Sequence, residues 1–187
     1  MNLDFTTGNA YAILGPNGSG KSTLLQVLSG FITPSIGNIL FFDDTHSQIA
    51  AEDFYHSISM ATPYLELMEA LTLREQIQFH GKMKPFLKGI GVNDVIEISS
   101  LKNADSKPLK NFSSGMKQRV RLVLAMLSDV PVVLLDEPCS NLDSPGREWY
   151  RELISRYSTG KLLFVCSNHQ NDEFDFCSNR INILDYK

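Results

Sequence analysis

Residues 15–23 read GPNGSGKST, a glycine-rich stretch that ends in a lysine and two hydroxyl residues. The short apolar run 10–14 precedes it, and residues 21–30 follow with the apolar spacing of a helix that Gly30 would cap. Glycines allow backbone N–H groups to converge on an anion, and the positive end of a helix favours negative charge. The stretch therefore predicts a buried strand, a phosphate-binding loop and a helix, in that order.

The same stretch matches the pattern G-x-x-x-x-G-K-[ST], which predicts nucleotide binding in the strand–loop–helix context seen here. The pattern assigns Lys21 to the β- and γ-phosphates and the Ser22 hydroxyl to Mg²⁺. The alternative is a glycine-rich turn that only happens to precede a helix. The candidate nucleotide-binding residues are Asn17, Gly18, Ser19, Gly20, Lys21, Ser22 and Thr23.

A second acidic site follows the apolar run VVLLDE, residues 132–137. A strand apolar on both faces is typical of a parallel sheet, and ligands bind at the carboxyl ends of such strands. We expect Asp136 to hold Mg²⁺, through water, and Glu137 to accept a proton from an attacking water. The alternative is an acidic pair that simply ends a strand before Pro138.

Strands alternate with helices along the chain, which predicts an α/β fold of the P-loop NTPase type. We expect a largely parallel sheet with helices on both faces. The middle of the chain has a mostly helical pattern, which predicts an additional α-helical subdomain. Residues 144–160 predict a helix with Ser144 as N-cap and Pro145 at the first helical position, with an apolar stripe that includes Trp149. Further strands are predicted at residues 38–42, 56–61, 161–167 and 180–185.

Composition and charge narrow the function classes. The formal net charge of −4 argues against a surface dedicated to nucleic acid, so we expect no nucleic-acid partner. No apolar run approaches the roughly 20 residues of a membrane span, and no signal peptide is recognisable, so we expect a cytoplasmic chain. The three cysteines, Cys139, Cys166 and Cys177, are expected to be reduced, with buried thiols for those in or beside apolar runs.

Three later stretches carry a family resemblance. FSSGMKQR (112–119) resembles the LSGGQ signature of ATP-binding cassette (ABC) proteins, SNLD (140–143) resembles their D-loop, and SNH (167–169) their switch histidine. Together with the phosphate loop and the acidic pair, these motifs appear in the family's order over about four fifths of the chain. The chain therefore resembles the nucleotide-binding subunit of an ABC transporter, as a single domain over 1–187 with its helical subdomain at about 64–128.

The resemblance implies a mechanism in which two cassettes close head to tail around two ATP molecules, with Mg²⁺ as cofactor. Lys21, Glu137 and His169 would be catalytic, with His169 contacting the γ-phosphate, and Asp143 would couple the two sites. The signature residues Ser113, Ser114, Gly115 and Met116 would contact the ATP held by the opposite chain. Transmembrane transporter subunits would dock near residues 64–79, on the inner face of the membrane. The apolar, loosely helical stretch 65–79 motivates this expectation, and the alternative is that it forms the core of the helical subdomain.

Two features depart from the family pattern. The position at which the family carries the glutamine of its Q-loop is Pro63 here, so we expect Tyr64 or Glu66 to take over part of that role, or turnover to be slow. The alternative is that this stretch only contacts a transporter subunit. Only fourteen residues precede Gly15, and the family's upstream adenine-stacking aromatic is missing from them; Phe5 and Tyr11 are poorly placed for the role. Either the chain is a truncated form or adenine is held otherwise, and we expect weak ATP binding with low base discrimination.

Two other functions stay open at this point. A soluble ABC ATPase acting on DNA or ribosomes would normally carry coiled-coil insertions or two cassettes, and neither is present in this sequence. A degenerate cassette that binds nucleotide as a regulatory module agrees with Pro63 and the short N-terminal segment, but Glu137 and His169 argue against it.

Overall fold

A computed structural model describes residues 2–168 and 170–186 of the chain. Within them the seven strands are β1 Ala10–Leu14, β2 Phe41–Phe42, β3 Gln48–Ile49, β4 Ile58–Ala61, β5 Val132–Asp136, β6 Leu162–Ser167 and β7 Asn179–Asn182. The seven α-helices are α1 Lys21–Leu28, α2 Phe54–Ser57, α3 Leu73–Met83, α4 Val92–Ile98, α5 Ser114–Leu127, α6 Ser144–Tyr157 and α7 Asn171–Phe174.

Five strands form one sheet in the order β4-β5-β6-β1-β7, and every neighbouring pair in it is parallel. Strand β6 lies between β1 and β5, with Leu14 opposite Ser167 and Asp136 opposite Cys166. The three strands therefore end side by side, and the loops that follow them share one edge of the sheet. This topology brings the phosphate loop and the acidic pair together, as expected for a parallel α/β sheet.

The central strands are buried on both faces of the sheet. Along β5, Val133 and Leu135 join the core beneath the helices α3 to α6, whereas Val132 and Leu134 face α1 on the other side. Strand β6 alternates in the same way, because successive side chains of a strand point to opposite faces. The predicted α/β class, with a parallel sheet and helices on both faces, is confirmed.

The middle of the chain is helical, as its pattern predicts. Helix α3 begins with a capping box, in which the Thr72 hydroxyl accepts the Glu75 N–H while the Glu75 carboxylate accepts the Thr72 N–H. Helices α3 and α4 pack together, and α5 packs against α3, α4 and α6 on one side and β4 and β5 on the other. The longest helix of this region therefore connects the other helices to the sheet.

Two helix termini differ from the prediction. The N-cap of α6 is Asp143 rather than Ser144, because the Asp143 carboxylate accepts the Gly146 N–H at 2.9 Å. Ser144 and Asp143 are both good caps, and the position of the first turn decides between them. Helix α1 ends at Leu28 with Ser29 as C-cap, and Gly30 follows in the left-handed conformation.

Three predicted strands are shorter than expected. Of residues 56–61 only Ile58–Ala61 forms strand β4, because His56 and Ser57 lie in α2. Of residues 38–42 only Phe41–Phe42 forms a strand, which pairs antiparallel with β3 and not with the main sheet. Of residues 180–185 only the first part is extended, because β7 runs from Asn179 to Asn182 and a 3₁₀ turn follows at Ile183–Tyr186. Residues 38–42 and 180–185 have the apolar composition of strands, but the strands with which they pair, β3 and β1, end earlier.

The cysteine and aromatic predictions hold in part. All three cysteines are free, as predicted, and all three are buried, whereas burial was predicted only for the two in or beside apolar runs. Burial raises the pKa of the Cys139 and Cys177 thiols to about 12. Within the predicted stripe of α6, Tyr150 is fully buried, whereas Trp149 is only half-buried and donates its indole N–H to the Ile98 carbonyl at 2.7 Å. The stripe is structural, as expected.

Candidate functional site

The phosphate loop connects β1 to α1 and folds around its own lysine. The buried Lys21 ammonium donates to the Gly15 carbonyl at 2.9 Å and to the Pro16 carbonyl at 3.2 Å. Gly20, the N-cap of α1, has φ of +100° and offers no side chain to cap the helix. The first N–H groups of α1 therefore have no side-chain acceptor in the cap position, which suits an external anion.

The loop and the acidic pair line one cavity of about 420 Å³. Its wall is formed by α1, by the loop before it, by the end of β5 and by the segment after β4. The complete set is Asn17, Gly18, Gly20, Lys21, Ser22, Thr23, Pro63, Tyr64, Asp136 and Glu137. Ser19, also predicted, is not in this lining; its hydroxyl is buried and has no hydrogen-bond partner among the described residues.

Asp136 occupies the buried wall of the cavity. Burial raises the pKa of its carboxyl group, and the charge of Glu137 adds to this; the nearby Ser22 hydroxyl and the Lys21 ammonium act in the opposite direction. A carboxylate removed from water is favourable only beside a compensating positive charge. The arrangement can therefore accommodate a cation in addition to Lys21.

Glu137 has an unusual backbone. Its φ is +46°, in the left-handed region that costs a residue other than glycine on the order of 1–3 kcal/mol. The following Pro138 further disfavours such a conformation. The Glu137 N–H donates to the Cys166 carbonyl at 2.9 Å, and the Ser140 N–H donates to the Glu137 carbonyl at 2.9 Å. The strained backbone directs the half-buried Glu137 side chain into the cavity wall, where β5 ends.

The signature residues lie apart from this cavity. Ser113, Ser114, Gly115 and Met116 form the start of α5, and none of them lines the cavity. The Ser113 hydroxyl caps the helix by accepting the Met116 N–H at 3.2 Å. A Cβ atom at Gly115 would lie 2.7 Å from the Asn141 carbonyl oxygen, so the signature packs directly on the D-loop of its own chain.

Sequence reasoning missed two buried side chains that meet behind Glu137. The Gln118 amide donates to the Pro138 carbonyl at 3.0 Å, and the Glu173 carboxylate accepts the Cys139 N–H at 3.1 Å. These partners are 20 and 34 residues apart in the chain, so no local pattern identifies them. Burial raises the pKa of the Glu173 carboxyl group, although the nearby Ser167 hydroxyl and the bond from the Cys139 N–H lower it.

The segment after β4 contributes Pro63 and Tyr64 to the cavity, whereas Glu66 is exposed and not in the lining. The Arg121 guanidinium of α5 fixes this segment by donating to the Leu65 carbonyl at 2.8 Å. Of the two side chains expected to replace the family's glutamine, only Tyr64 is therefore near the phosphate loop. Several apolar side chains on this segment and on α3 are exposed: Tyr64, Leu65, Met68, Phe79 and Met83.

Phe5 and Tyr11 pack together away from the cavity. Their ring centroids are 4.9 Å apart, and both rings contact Phe164 of β6. Neither residue lines the cavity, in agreement with the expectation that they are poorly placed for adenine.

His169, the predicted switch histidine, lies outside the described residues. Among the residues that are described, no helix combines the length and the apolar character needed to cross a membrane.

The family model of ABC transporters matches residues 1–140. The chain is 29% identical over 186 residues to the Bacillus subtilis protein named "Uncharacterized ABC transporter ATP-binding protein YcbN", covering 98% of this chain and 60% of that relative. It is 28% identical over 189 residues to the Streptococcus pyogenes "Lantibiotic transport ATP-binding protein SrtF", covering 98% of this chain and 78% of the relative.

Solved structures agree with this fold. The structure titled "Dimeric structure of a post-hydrolysis state of the ATP-binding cassette MJ0796 bound to ADP and Pi" matches with a TM-score of 0.77 at 22% identity, over 92% of this chain and 80% of that one. At this identity the match shows the fold alone, whereas the family model covers about three quarters of the chain. The chain therefore belongs to the ABC transporter family.

Proposed function

We propose that this chain hydrolyses ATP with its own phosphate loop and acidic pair, as one half of a head-to-tail dimer that drives a membrane transporter. The single observation that carries the catalytic part is the shared cavity of Lys21, Ser22, Asp136 and Glu137. It contains a fixed cation, oxygen ligands and a general base at the open start of a helix, which is the set that phosphoryl transfer to water needs.

The triphosphate would bind along residues 17–23. The uncapped N–H groups at the start of α1 would bind phosphate oxygens, and Lys21 would exchange its bonds to Gly15 and Pro16 for the β- and γ-phosphates. Ser19 is assigned to the triphosphate from its place in the loop, because its side chain does not line the cavity.

Mg²⁺ fits the residues that are present. The Ser22 hydroxyl and the Asp136 carboxylate are the oxygen ligands that this ion prefers, and a cation would offset the desolvation that raises the pKa of Asp136. When bound, Mg²⁺ would neutralise charge on the β- and γ-phosphate oxygens. Among residues 2–168 and 170–186, no three His, Cys, Asp or Glu side chains cluster around a possible metal position, so most of the ion's ligands would come from the nucleotide and water.

Glu137 would act as the general base. Its half-buried carboxylate lies in the cavity wall beyond Lys21, and its backbone is held in one strained conformation. The base would take a proton from the water that attacks the γ-phosphate, leaving ADP and inorganic phosphate. We assign His169 to the γ-phosphate from its place in the motif order.

A second cassette would complete the site. The start of α5 carries the signature but does not reach the cavity of its own chain, and its Ser113, Ser114, Gly115 and Met116 are exposed or half-exposed. A helix start favours negative charge, so this end is suited to the γ-phosphate of a partner's ATP. The MJ0796 cassette is described as dimeric, which supports the same arrangement here. Asp143 would act at the same interface while it caps α6.

We assign residues 64–128 to a helical subdomain within one domain. The exposed apolar side chains of this subdomain would bind the transporter's membrane subunits. Tyr64 is 74% exposed and Met83 72% exposed, which is unusual for large apolar residues clustered on one segment and helix. Such a partner would keep the chain on the cytoplasmic face of the membrane. A photo-crosslinker at position 68 or 83 should then capture an integral membrane protein, and the same probe at the exposed Lys102 should not. Equal capture at all three positions would contradict this docking surface.

The catalytic proposal is tested by measuring phosphate release from Mg-ATP for the wild type and the Glu137→Gln variant. Loss of the base should lower the turnover number about 10²- to 10⁴-fold and leave ATP binding intact. Equal rates at background level would instead favour the nucleotide-binding regulatory module.

A further inference from the structure

The peptide bond between Pro138 and Cys139 is held at both ends by buried side chains. Its carbonyl oxygen accepts the Gln118 Nε2–H at 3.0 Å, and its N–H donates to Glu173 Oε1 at 3.1 Å. Gln118 is 1% exposed and Glu173 is fully buried. The two side chains come from different helices, α5 and α7, and meet at one peptide plane.

This peptide lies one residue after the catalytic Glu137, whose backbone is in the left-handed region before a proline. Such a conformation persists only when its surroundings over-determine it. Two backbone bonds of the turn are local, Ser140 N–H to Glu137 O and Leu142 N–H to Cys139 O, at 2.9 and 3.0 Å, and a third joins the Glu137 N–H to the Cys166 carbonyl of β6 at 2.9 Å. Gln118 and Glu173 add side-chain bonds that tie the next peptide of the turn to α5 and α7.

Burying a carboxyl group at this position is costly, which argues against an incidental role. Burial raises the pKa of Glu173, and the negative charges of Glu137 and Asp136 raise it further, so the acidic pair acts against the group that supports it. Its second oxygen, Oε2, has no hydrogen-bond partner among the described residues. An apolar side chain would remove this cost but leave the Cys139 N–H unpaired.

We propose that Gln118 and Glu173 form a peptide clamp that positions Glu137 for hydrolysis. Because Gln118 lies on the helix that begins with the signature, the clamp links the signature of one site to the general base of the other. Both are positioning residues, which act through the backbone and do not touch the nucleotide. This role rests on the proposed function of Glu137 as the base.

The test compares variants that keep or remove each end of the clamp. Glu173→Gln keeps an acceptor oxygen for Cys139, whereas Glu173→Leu and Gln118→Leu keep similar volume but remove the hydrogen bond. The control is Ser59→Ala, which removes another buried side chain's bond to a backbone carbonyl, that of Ala125, outside the clamp. The measurements are kcat and KM for Mg-ATP, the melting temperature, and hydrogen exchange of the Cys139 amide.

We expect Glu173→Leu and Gln118→Leu each to lower kcat by about ten- to a hundredfold, because small misplacement of a catalytic group has effects of this size. The KM for ATP should change less than about threefold, and Glu173→Gln should stay within about threefold of the wild-type kcat. The double variant should lose less than the product of the two single losses, since both act on one peptide. Exchange of the Cys139 amide should accelerate in Glu173→Leu and not in Ser59→Ala.

Wild-type kcat in both leucine variants would overturn the clamp, as would a loss in Glu173→Gln equal to that in Glu173→Leu. If one leucine variant does not fold, the kcat of the other still decides, because each variant removes one end of the clamp. Failure of the proposed function looks different, because the wild type itself would then release no phosphate.

Discussion

Helices α1 and α5 both begin in motifs that contain glycine and serine, but only the first turn of α5 has a side-chain cap. At α1 the N-cap is Gly20, without a capping side chain, and the neighbouring Ser19 hydroxyl is buried without a partner among the described residues. At α5 the Ser113 hydroxyl caps the helix, and Gly115 packs against the Asn141 carbonyl.

The difference indicates which terminus is prepared for a ligand within this chain. Groups left without internal partners reduce stability, and they are retained where a ligand supplies the partner. The start of α1 fits this description, together with the desolvated Asp136. At the start of α5 the Met116 N–H is capped by Ser113 of the same chain, so contact with a partner's nucleotide would add to a turn that already has a side-chain cap.

Removing the lysine of α1 should have the largest effect. Lys21→Ala should weaken ATP binding about ten- to a hundredfold, because a charged hydrogen bond to phosphate contributes about 1.5–3 kcal/mol. Isothermal titration calorimetry measures the change, and the exposed Lys102→Ala is the matched control. Unchanged affinity in Lys21→Ala would remove the functional distinction between the two helix starts.

At α5 a small addition should disturb packing. Gly115→Ala places a Cβ atom 2.7 Å from the Asn141 carbonyl oxygen, a backbone atom that cannot move aside freely. We expect about 1–3 kcal/mol of destabilisation in urea unfolding. The adjacent Ser114→Ala, at an exposed position, should be close to neutral. If both variants had wild-type stability, the signature would not be packed on the D-loop.

The cap of α5 should contribute less. Ser113→Ala removes the acceptor of the Met116 N–H and should cost about 1 kcal/mol of stability, whereas Ser113→Thr should retain most of it. Thermal unfolding of the two variants, followed by circular dichroism, distinguishes them. Equal losses would mean that the hydroxyl does not cap the helix.

The smallest expected effect is a pH-dependent increase in stability when Asp136 is replaced by asparagine. Burial raises the pKa of Asp136 in the folded state above its value of about 3.8 in the unfolded state. Between these two pKa values the folded state binds more protons than the unfolded state, so the free energy of unfolding falls as the pH rises. Asp136→Asn removes this loss and should be more stable than the wild type at pH 7 without nucleotide. The difference should shrink as pH falls towards 4. Urea unfolding between pH 7 and 4 measures it, with the exposed Glu148→Gln as the control; a difference independent of pH would contradict the assignment.

Local patterns identified much of this molecule. The phosphate loop combines strand, turn and helix signals within about twenty residues, and the run 132–137 is apolar enough to be recognised as a buried strand. Predictions failed where two neighbouring residues were equally suitable, as at Ser144 and Asp143, or where a strand depended on its partner, as at residues 38–42.

The sequence by itself determined the α/β class, the nucleotide chemistry and the order of the family's motifs, because these depend on residue types at short, fixed spacings. Only the tertiary structure decided that β6 lies between β1 and β5 and that Tyr64, not Glu66, is near the phosphate loop. It also decided that Gln118 and Glu173 form hydrogen bonds to the same peptide group next to Glu137. Those contacts join residues far apart in the chain, and they exist only after the sheet has brought its strand ends together.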